Sequence, residues 1–254
     1  MTTSDTEFHY LRRDGRLLRG RLLPGADTLI VFLPGFRSVC TGEKATAISN
    51  FAAERGHACL RFDYLGHGES DGEFADFRIS EAMHDTAACI DKAKKREQRL
   101  ILVGSSMGGW IGLELVRHGH TSADGMLLIA PALEFVTRRF ARLPTEHIEA
   151  FRRDGHVDLP DTYAPGETYR ISNEFLVDAA LCQPQPGPTP LPCPVTIIHG
   201  TDDESVPVAL SRELATRIPG CRLVEVPGGD HRLSGHLPLI LKETAALAAR
   251  RAAP

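Results

Sequence analysis

Residues 100–110, Leu-Ile-Leu-Val-Gly-Ser-Ser-Met-Gly-Gly-Trp, decide the fold of this chain. The run Leu100–Gly104 is short and apolar, which is typical of a buried strand, and helical periodicity follows it over Gly108–Arg117. Between the two, Gly104-Ser105-Ser106-Met107-Gly108 matches G-x-S-x-G, whose glycines permit a sharp strand-to-helix turn. Such a turn presents the Ser106 hydroxyl above the carboxyl end of a sheet. Ser106 is therefore the predicted nucleophile.

Strands and helices alternate on both sides of this turn. Runs of apolar and β-branched residues predict strands at Glu7–Arg12, Arg16–Arg21, Thr28–Leu33, Ala58–Tyr64, Leu100–Gly104, Gly125–Ala130, Val195–His199 and Arg222–Val226. Helical periodicity predicts helices at Glu43–Arg55, Ser80–Arg96 with Ser80 as N-cap, Gly108–Arg117, Val208–Ile218 and Leu237–Arg251. The alternation predicts an α/β fold with a mostly parallel central sheet and helices on both faces.

The alternation stops in one segment, which suggests an insertion. We interpret residues 1–254 as one domain, with a small cap of helical pieces and loops, without a buried strand, at approximately 134–181. The segment 184–194 has proline at every second position and is expected to be a stiff connector. The cap is thus inserted before the penultimate core strand.

A serine hydroxyl needs a base to take its proton, and in folds with this turn the acid and the histidine follow the serine along the chain. Gly228-Gly229-Asp230-His231 follows the last predicted strand, so His231 is the predicted base and His236 its competitor. The acid is expected after the strand Val195–His199. Three adjacent carboxylates compete there, and periodicity does not choose among them: Asp202, Asp203 and Glu204.

An oxyanion hole requires two backbone N–H groups. Met107, directly after the nucleophile, is predicted to supply one, and Phe36, after Gly35, the other, with Arg37 in reserve. The predicted substrate pocket consists of Arg37, Phe135, Phe140, Tyr163, Tyr169 and Phe175. Apolar side chains of the inserted segment could equally form its own core, and this set comprises Phe135, Phe140, Leu143, Ile148, Phe151, Tyr163, Tyr169, Phe175 and Leu176.

Composition excludes several other classes of protein. The net charge of −4 argues against nucleic-acid binding, and no apolar run reaches the roughly 18 residues that span a membrane. None of the six cysteines forms a C-x-x-C pair, so metal and redox motifs are absent, and acyl transfer by a serine would need no metal or organic cofactor. Cys59 and Cys89 lie in apolar runs and are expected in the core. The polar, acidic N-terminus resembles no secretory signal, and reduced thiols indicate a cytoplasmic protein.

Five segments resemble the serine hydrolases of the α/β-hydrolase fold: LPGF, RFDYLGHGESDG, VGSSMGGW, HGTDDESVP and GGDH. Within that superfamily the chain is similar to the group that contains a mitochondrial acyl-protein thioesterase. The superfamily pattern H-G-x-x-D-x-x-V-P implies that Asp203 is the acid, beside Ser106 and His231. The resemblance does not extend to a transit peptide at the N-terminus, so the cytoplasmic expectation stands.

The resemblance implies cleavage of carboxylic esters or thioesters through an acyl-serine intermediate. The expected enzyme is a palmitoyl-type acyl thioesterase or an acyl-glucuronide esterase, acting on a small-molecule or acylated-protein substrate. A small-ester carboxylesterase or an acyl-CoA thioesterase is the alternative on the same residues. A non-catalytic ligand-binding protein is a second alternative, because a fold does not by itself fix a function.

Overall fold

The central feature of the computed structural model is a twisted sheet of eight strands. The structure describes residues 4–140, 142–160, 166–184 and 187–250. The strands of this sheet and of a second, two-stranded sheet are β1 (Thr6–Leu11), β2 (Leu17–Leu23), β3 (Thr28–Leu33), β4 (Ala58–Phe62), β5 (Arg99–Ser105), β6 (Gly125–Ile129), β7 (His156–Pro160), β8 (Thr168–Ser172), β9 (Val195–Gly200) and β10 (Arg222–Val226). The main sheet has the order β1-β2-β4-β3-β5-β6-β9-β10 and is parallel from β4 onward.

Helices cover the two faces of this sheet. They are α1 (Glu43–Glu54), α2 (Ile79–Ala93), α3 (Met107–Arg117), α4 (Phe135–Phe140), α5 (Thr145–Asp154), α6 (Asn173–Leu181), α7 (Val208–Arg217) and α8 (Leu237–Ala249). Every predicted core strand and helix is present, with ends that differ by a few residues. The predicted fold class is confirmed.

The central strand β3 explains why the sheet is covered on both sides. All six of its residues are buried. Leu29, Val31 and Leu33 belong to the apolar cluster that contains Trp110 of α3, whereas Ile30 and Phe32 belong to the cluster on the opposite face. The sequence of this central parallel strand is therefore continuously apolar, because both of its faces pack against helices.

The segment between β6 and β9 corrects one expectation, because it contains buried strands. β7 and β8 form an antiparallel pair that buries Val157, Leu159, Tyr169 and Ile171. HVDLP and TYRIS do alternate between buried and exposed residues, but each covers only five positions. The prediction of helical pieces and loops without a buried strand was wrong because HVDLP ends on Pro160, which counts against a strand, and TYRIS runs directly into the helical segment α6.

The predicted N-cap of α2 is a second correction. The helix begins at Ile79 with Arg78 as its N-cap residue. The Ser80 hydroxyl donates to Asp178 of α6, and the Ser80 N–H donates to the same carboxylate at 3.1 Å. A tertiary partner has thus taken the hydroxyl that the sequence suggested for local capping. Cys59 and Cys89 are fully buried, as expected of core residues.

Candidate active site

Ser106 lies on a strained turn between β5 and α3. Its φ is +54°, in the left-handed region that non-glycine residues rarely occupy. The turn is crowded, because a Cβ on Gly104 would lie 2.4 Å from the Gly108 carbonyl oxygen, and one on Gly108 would lie 2.1 Å from that of Leu33. Both glycines of the G-x-S-x-G pattern are therefore required by close backbone approach. Strain of this kind is concentrated at functional sites.

Ser106, His231 and Asp203 form one chain of hydrogen bonds. The Nε2 atom of His231 lies 3.0 Å from Ser106 Oγ, and its Nδ1 atom lies 2.6 Å from Asp203 Oδ2. An ionised carboxylate only accepts hydrogen bonds, so Nδ1 carries the proton and Nε2 can accept from the serine hydroxyl. The loops after β9 and β10 that carry Asp203 and His231 approach closely, because a Cβ on Gly200 would lie 2.1 Å from the Gly229 oxygen.

Asp203 is the one of the three adjacent carboxylates that reaches His231. Its Oδ1 atom accepts from the N–H groups of Ser205, at 2.9 Å, and Val206, at 2.7 Å. Burial by itself would raise the pKa of Asp203, but hydrogen bonds from His199 and His231 and the charge of His231 hold it well below its usual value. Asp202 and Glu204 are exposed. His236, the competing base, lies in the 3-10 turn before α8.

The predicted oxyanion residues flank Ser106. A Cβ on Gly35 would lie 3.3 Å from Ser106 Cβ, so the backbone that leads into Phe36 passes directly beside the serine. Met107 is the first residue of α3, where helical N–H groups have no intrahelical acceptor. Both N–H groups therefore belong to segments next to Ser106, and Arg37 follows with a φ of +56°.

A cavity of about 600 Å³ opens at Ser106 and His231. Of the predicted pocket residues, Arg37, Phe135 and Tyr169 line it. Within the described part of the chain, Phe140 and Phe175 do not. Phe140 packs against Phe151, and Phe175 is buried under Phe36, so both contribute to packing of the inserted segment. Tyr163 lies outside the described residues.

One wall of the cavity is aromatic. The Phe36 ring contacts Phe74, Phe135 and Tyr169 at centroid distances of 5.1, 4.9 and 5.6 Å. The Arg37 guanidinium lies 4.7 Å from the Tyr169 ring centre and 5.5 Å from that of Phe74, within the range of cation–π attraction. Sequence reasoning did not single out Phe74, which lies in a 3-10 turn just after Gly72 and packs behind Phe36 rather than lining the cavity.

The cavity lining is also basic, which the sequence did not indicate. The cationic residues that line it are Arg37, Lys44, Arg138, Arg142 and Arg232. Among the described lining residues, Glu43 and Glu204 are the carboxylates. Arg138 and Arg142 come from one short basic run, but Arg37, Lys44 and Arg232 come from separate parts of the chain, so the cluster as a whole could not be read from the sequence.

The geometry can support nucleophilic acyl chemistry. A serine hydroxyl faces an imidazole nitrogen that accepts, the imidazole is held by a buried carboxylate, and a helix N-terminus lies where negative charge would develop. A carbonyl carbon bound in the cavity beside Ser106 would meet all three.

The chain belongs to the alpha/beta hydrolase family, whose model matches residues 30–249. It is 35% identical to the rat palmitoyl-protein thioesterase ABHD10, mitochondrial, over 83% of this chain and 71% of that protein. The human protein of the same name is 32% identical, over 84% of this chain and 69% of its own length.

Two solved structures extend the similarity to the fold. The mouse alpha/beta hydrolase domain-containing protein 10 superposes with a TM-score of 0.83 at 32% identity, covering 95% of this chain and 98% of its own. A putative hydrolase from Agrobacterium vitis S4 superposes with a TM-score of 0.87 at 29% identity, covering 96% of this chain and 98% of its own.

These matches confirm the predicted family and the predicted enzyme class, a hydrolase of ester or thioester bonds. The names of the rat and human relatives give a mitochondrial location for those proteins. Within the described ranges, no helix is long and apolar enough to cross a membrane.

Proposed function

We propose that Ser106, His231 and Asp203 are a catalytic triad that hydrolyses acyl thioesters and esters. The observation that carries the proposal is the hydrogen-bonded sequence from Ser106 Oγ through His231 to Asp203, with lengths of 3.0 and 2.6 Å. Ser106 is the nucleophile, His231 the general base and Asp203 the residue that orients the imidazole. The N–H groups of Phe36 and Met107 form the oxyanion hole.

In the first half-reaction, Ser106 Oγ bonds to the substrate carbonyl carbon while its proton moves to His231 Nε2. The carbonyl electron pair moves to oxygen, and the Phe36 and Met107 N–H groups stabilise the oxyanion, each contributing roughly 3 kcal/mol to lowering the barrier. The electron pair on the oxyanion then re-forms the carbonyl bond, and the carbon–sulfur or carbon–oxygen bond to the leaving group breaks. The leaving group takes the proton from His231. Acyl-Ser106 remains.

In the second half-reaction, water attacks acyl-Ser106 and gives a proton to His231. The tetrahedral intermediate collapses, the bond from carbon to Ser106 Oγ breaks, and the proton returns to the serine. The products are a carboxylic acid and the free enzyme, so atoms and charges balance in each step.

A palmitoyl-type thioester is the proposed substrate. The names of the mammalian relatives support it, and the cavity volume of about 600 Å³ lies in the usual range of small-molecule sites. Its aromatic wall offers an apolar surface for an acyl chain.

We also propose that residues 134–181 are a cap over the cavity, because Phe135, Arg138, Arg142 and Tyr169 of this segment line it. The prolines of 184–194 then connect the cap to β9.

The test is a matched series of acetyl, octanoyl and palmitoyl substrates, each as an oxoester and as a thioester of the same leaving group, with an acyl glucuronide beside them. We expect kcat/KM to rise with chain length and to be higher for the thioesters. A preference for acetyl oxoesters would instead indicate a small-ester carboxylesterase. Absence of hydrolysis across the series would contradict the enzyme proposal and favour a binding protein.

The basic lining supports a second candidate, an acyl-CoA thioesterase. Five cationic residues and two carboxylates line the cavity, and although Arg138 is paired with Glu134, the remaining positive charge would attract a leaving group that carries phosphates. Palmitoyl-CoA and palmitoyl-N-acetylcysteamine contain the same thioester and differ in the charge of the leaving thiol. If CoA thioesters are the substrate, Arg142→Gln lowers kcat/KM for the former and leaves the latter unchanged, whereas Arg153→Gln, outside the cavity, affects neither.

We propose that the protein is located in the cytoplasm. Among the described residues, the six cysteines are free thiols, which suits a reducing compartment. Immunoblots of fractionated cells test this, and enrichment in an organelle fraction would contradict it.

A further inference from the structure

His199, at the carboxyl end of β9, is a second histidine that contacts the acid of the proposed triad. Its side chain is fully buried, and its Nε2 atom lies 3.1 Å from Asp203 Oδ2 and 2.9 Å from the Val206 carbonyl oxygen. Its Nδ1 atom lies 2.6 Å from the Ser211 hydroxyl of α7. The imidazole therefore joins the helix α7 to the proposed catalytic carboxylate.

The partners of His199 determine which ring nitrogen carries a proton. A carboxylate oxygen and a carbonyl oxygen both accept hydrogen bonds, so a bare Nε2 lone pair would face two acceptors. Nε2 therefore carries the proton, donates it to the Val206 carbonyl oxygen at 2.9 Å, and presents its positive side to Asp203 Oδ2 at 3.1 Å. Ser211 can then donate its hydroxyl proton to Nδ1, which accounts for every polar atom of the ring.

We infer that His199 is a positioning residue for the catalysis described under the proposed function, on which this inference rests. Asp203 Oδ1 is fixed by the Ser205 and Val206 N–H groups, while Oδ2 accepts from His231 Nδ1 at 2.6 Å and lies 3.1 Å from the protonated Nε2 of His199. The donor from His199 keeps Oδ2 from rotating away and keeps the carboxylate ionised. His231 consequently stays in the tautomer that leaves Nε2 free to accept from Ser106.

Glu225 is a further charged group near His199, and another cation engages its carboxylate. Glu225 of β10 is paired in register with His199, but its carboxylate binds the Arg212 guanidinium on the exposed edge. The buried side of His199 therefore faces Asp203, Val206 and Ser211. Substitution at His199 changes the donors of Asp203 without removing another charge from the site.

Two substitutions separate hydrogen-bond donation from packing. His199→Gln places an amide N–H close to the position of Nε2, whereas His199→Met fills a similar volume and has no donor. With the palmitoyl thioester as substrate, we expect His199→Met to lower kcat roughly 10–100-fold and to leave KM within about twofold of its original value. Losses of this size are typical when a residue that orients a functional side chain is removed, as is known for residues that hydrogen-bond to metal-coordinating side chains. His199→Gln should retain most of kcat, and the exposed control His9→Gln all of it.

The pH profile gives a readout that a purely structural role would not move. With one donor fewer, Asp203 stabilises the imidazolium form of His231 more strongly. The acid limb of kcat/KM should therefore move to higher pH in His199→Met and less in His199→Gln. Equal kcat and equal profiles in the two variants, both folded by circular dichroism, would overturn the inference.

Ser211→Ala keeps the inference testable if neither His199 variant folds. This change removes the donor to Nδ1 without touching Asp203, so the ring loses its orientation and kcat should fall about threefold or more at unchanged KM. An unchanged kcat would contradict the inference. Failure of the unsubstituted enzyme to hydrolyse any thioester would instead overturn the proposed function itself.

Discussion

The Nε2 atom of His231 lies 3.0 Å from Ser106 Oγ, although 125 positions separate the two residues in the chain. The topology accounts for this proximity. β5, β9 and β10 are parallel strands of one sheet, so the loops that follow them emerge at the same edge. Ligand and catalytic sites of open α/β sheets lie at this carboxyl edge.

Asp203→Asn should lower kcat by about 10⁴-fold. The amide can donate to His231 Nδ1 and so favour the tautomer that cannot accept from Ser106, as happens when the same change is made in a serine protease triad. Asp202→Asn is the matched control, since Asp202 is exposed in the same loop, and it should leave kcat within about twofold. Steady-state kinetics with a thioester substrate measures both. Equal effects of the two changes would refute the assignment of the acid.

Gly35→Ala should lower kcat about 10-fold or more while the thermal midpoint changes little. The added Cβ would lie 3.3 Å from both the Ser105 oxygen and Ser106 Cβ, so the Phe36 N–H must move away from the serine. Complete loss of one oxyanion donor costs roughly 100- to 1000-fold. Gly235→Ala is the control, because nothing lies within 4 Å of a Cβ there. An unaltered kcat in Gly35→Ala would argue against Phe36 as a donor.

Burial of His67 should make stability depend on pH. Burial lowers its pKa to about 4, with a smaller opposing effect of the Leu65 carbonyl and a further decrease from the Arg37 charge. Between pH 4 and the ordinary histidine value of about 6.5, the unfolded chain binds the extra proton, so this contribution to stability is present above pH 6.5 and is lost as pH falls toward 4.

The comparison of the unsubstituted protein with His67→Phe isolates that effect, because other titrating groups contribute equally to both. We expect the difference in free energy of unfolding to change by about 3 kcal/mol between pH 7 and pH 4, with the unsubstituted protein losing more. Urea titrations at several pH values measure it. A difference independent of pH would show that the His67 pKa is not shifted.

Trp110→Phe should destabilise the protein by about 1–3 kcal/mol. Trp110 is fully buried in α3, and its Nε1–H donates to the Cys182 carbonyl oxygen at the end of α6, at 3.1 Å. The change removes this bond and leaves a small cavity under the Ser106 turn. Trp110 is the single tryptophan of the sequence, so unfolding is followed by far-ultraviolet circular dichroism. A loss below about 0.5 kcal/mol would contradict this account of the packing.

The sequence predicted the core sheet and the turn at Ser106 because both depend on local patterns. β3 is an uninterrupted apolar run, and the glycines on either side of Ser106 have no alternative that fits the backbone. The predicted base also follows from chain order, since His231 lies in the loop that follows the last strand, β10. These features need no knowledge of distant contacts.

Periodicity alone left the acid open, and only the family pattern singled out Asp203, whereas the cavity depends on tertiary contacts that a sequence does not display. The three adjacent carboxylates in the loop after β9 have no distinguishing periodicity. In the folded loop, Asp203 Oδ1 accepts hydrogen bonds from the N–H groups of Ser205 and Val206, which fixes its carboxylate. Phe175 and Tyr169 are both aromatic residues of the inserted segment. The first packs under Phe36, the second holds Arg37 at the cavity, and no local pattern distinguishes them.

The nucleophilic character of Ser106 is the central claim, and a fluorophosphonate probe tests it most directly. Such a probe forms a covalent adduct with a serine that a neighbouring base activates, and intact mass spectrometry measures the adduct without knowledge of the substrate. We predict a single adduct on the unsubstituted protein and none on Ser106→Ala. An unsubstituted protein that stays unlabelled while a control esterase reacts fully, or a Ser106→Ala protein that labels equally, would contradict the account.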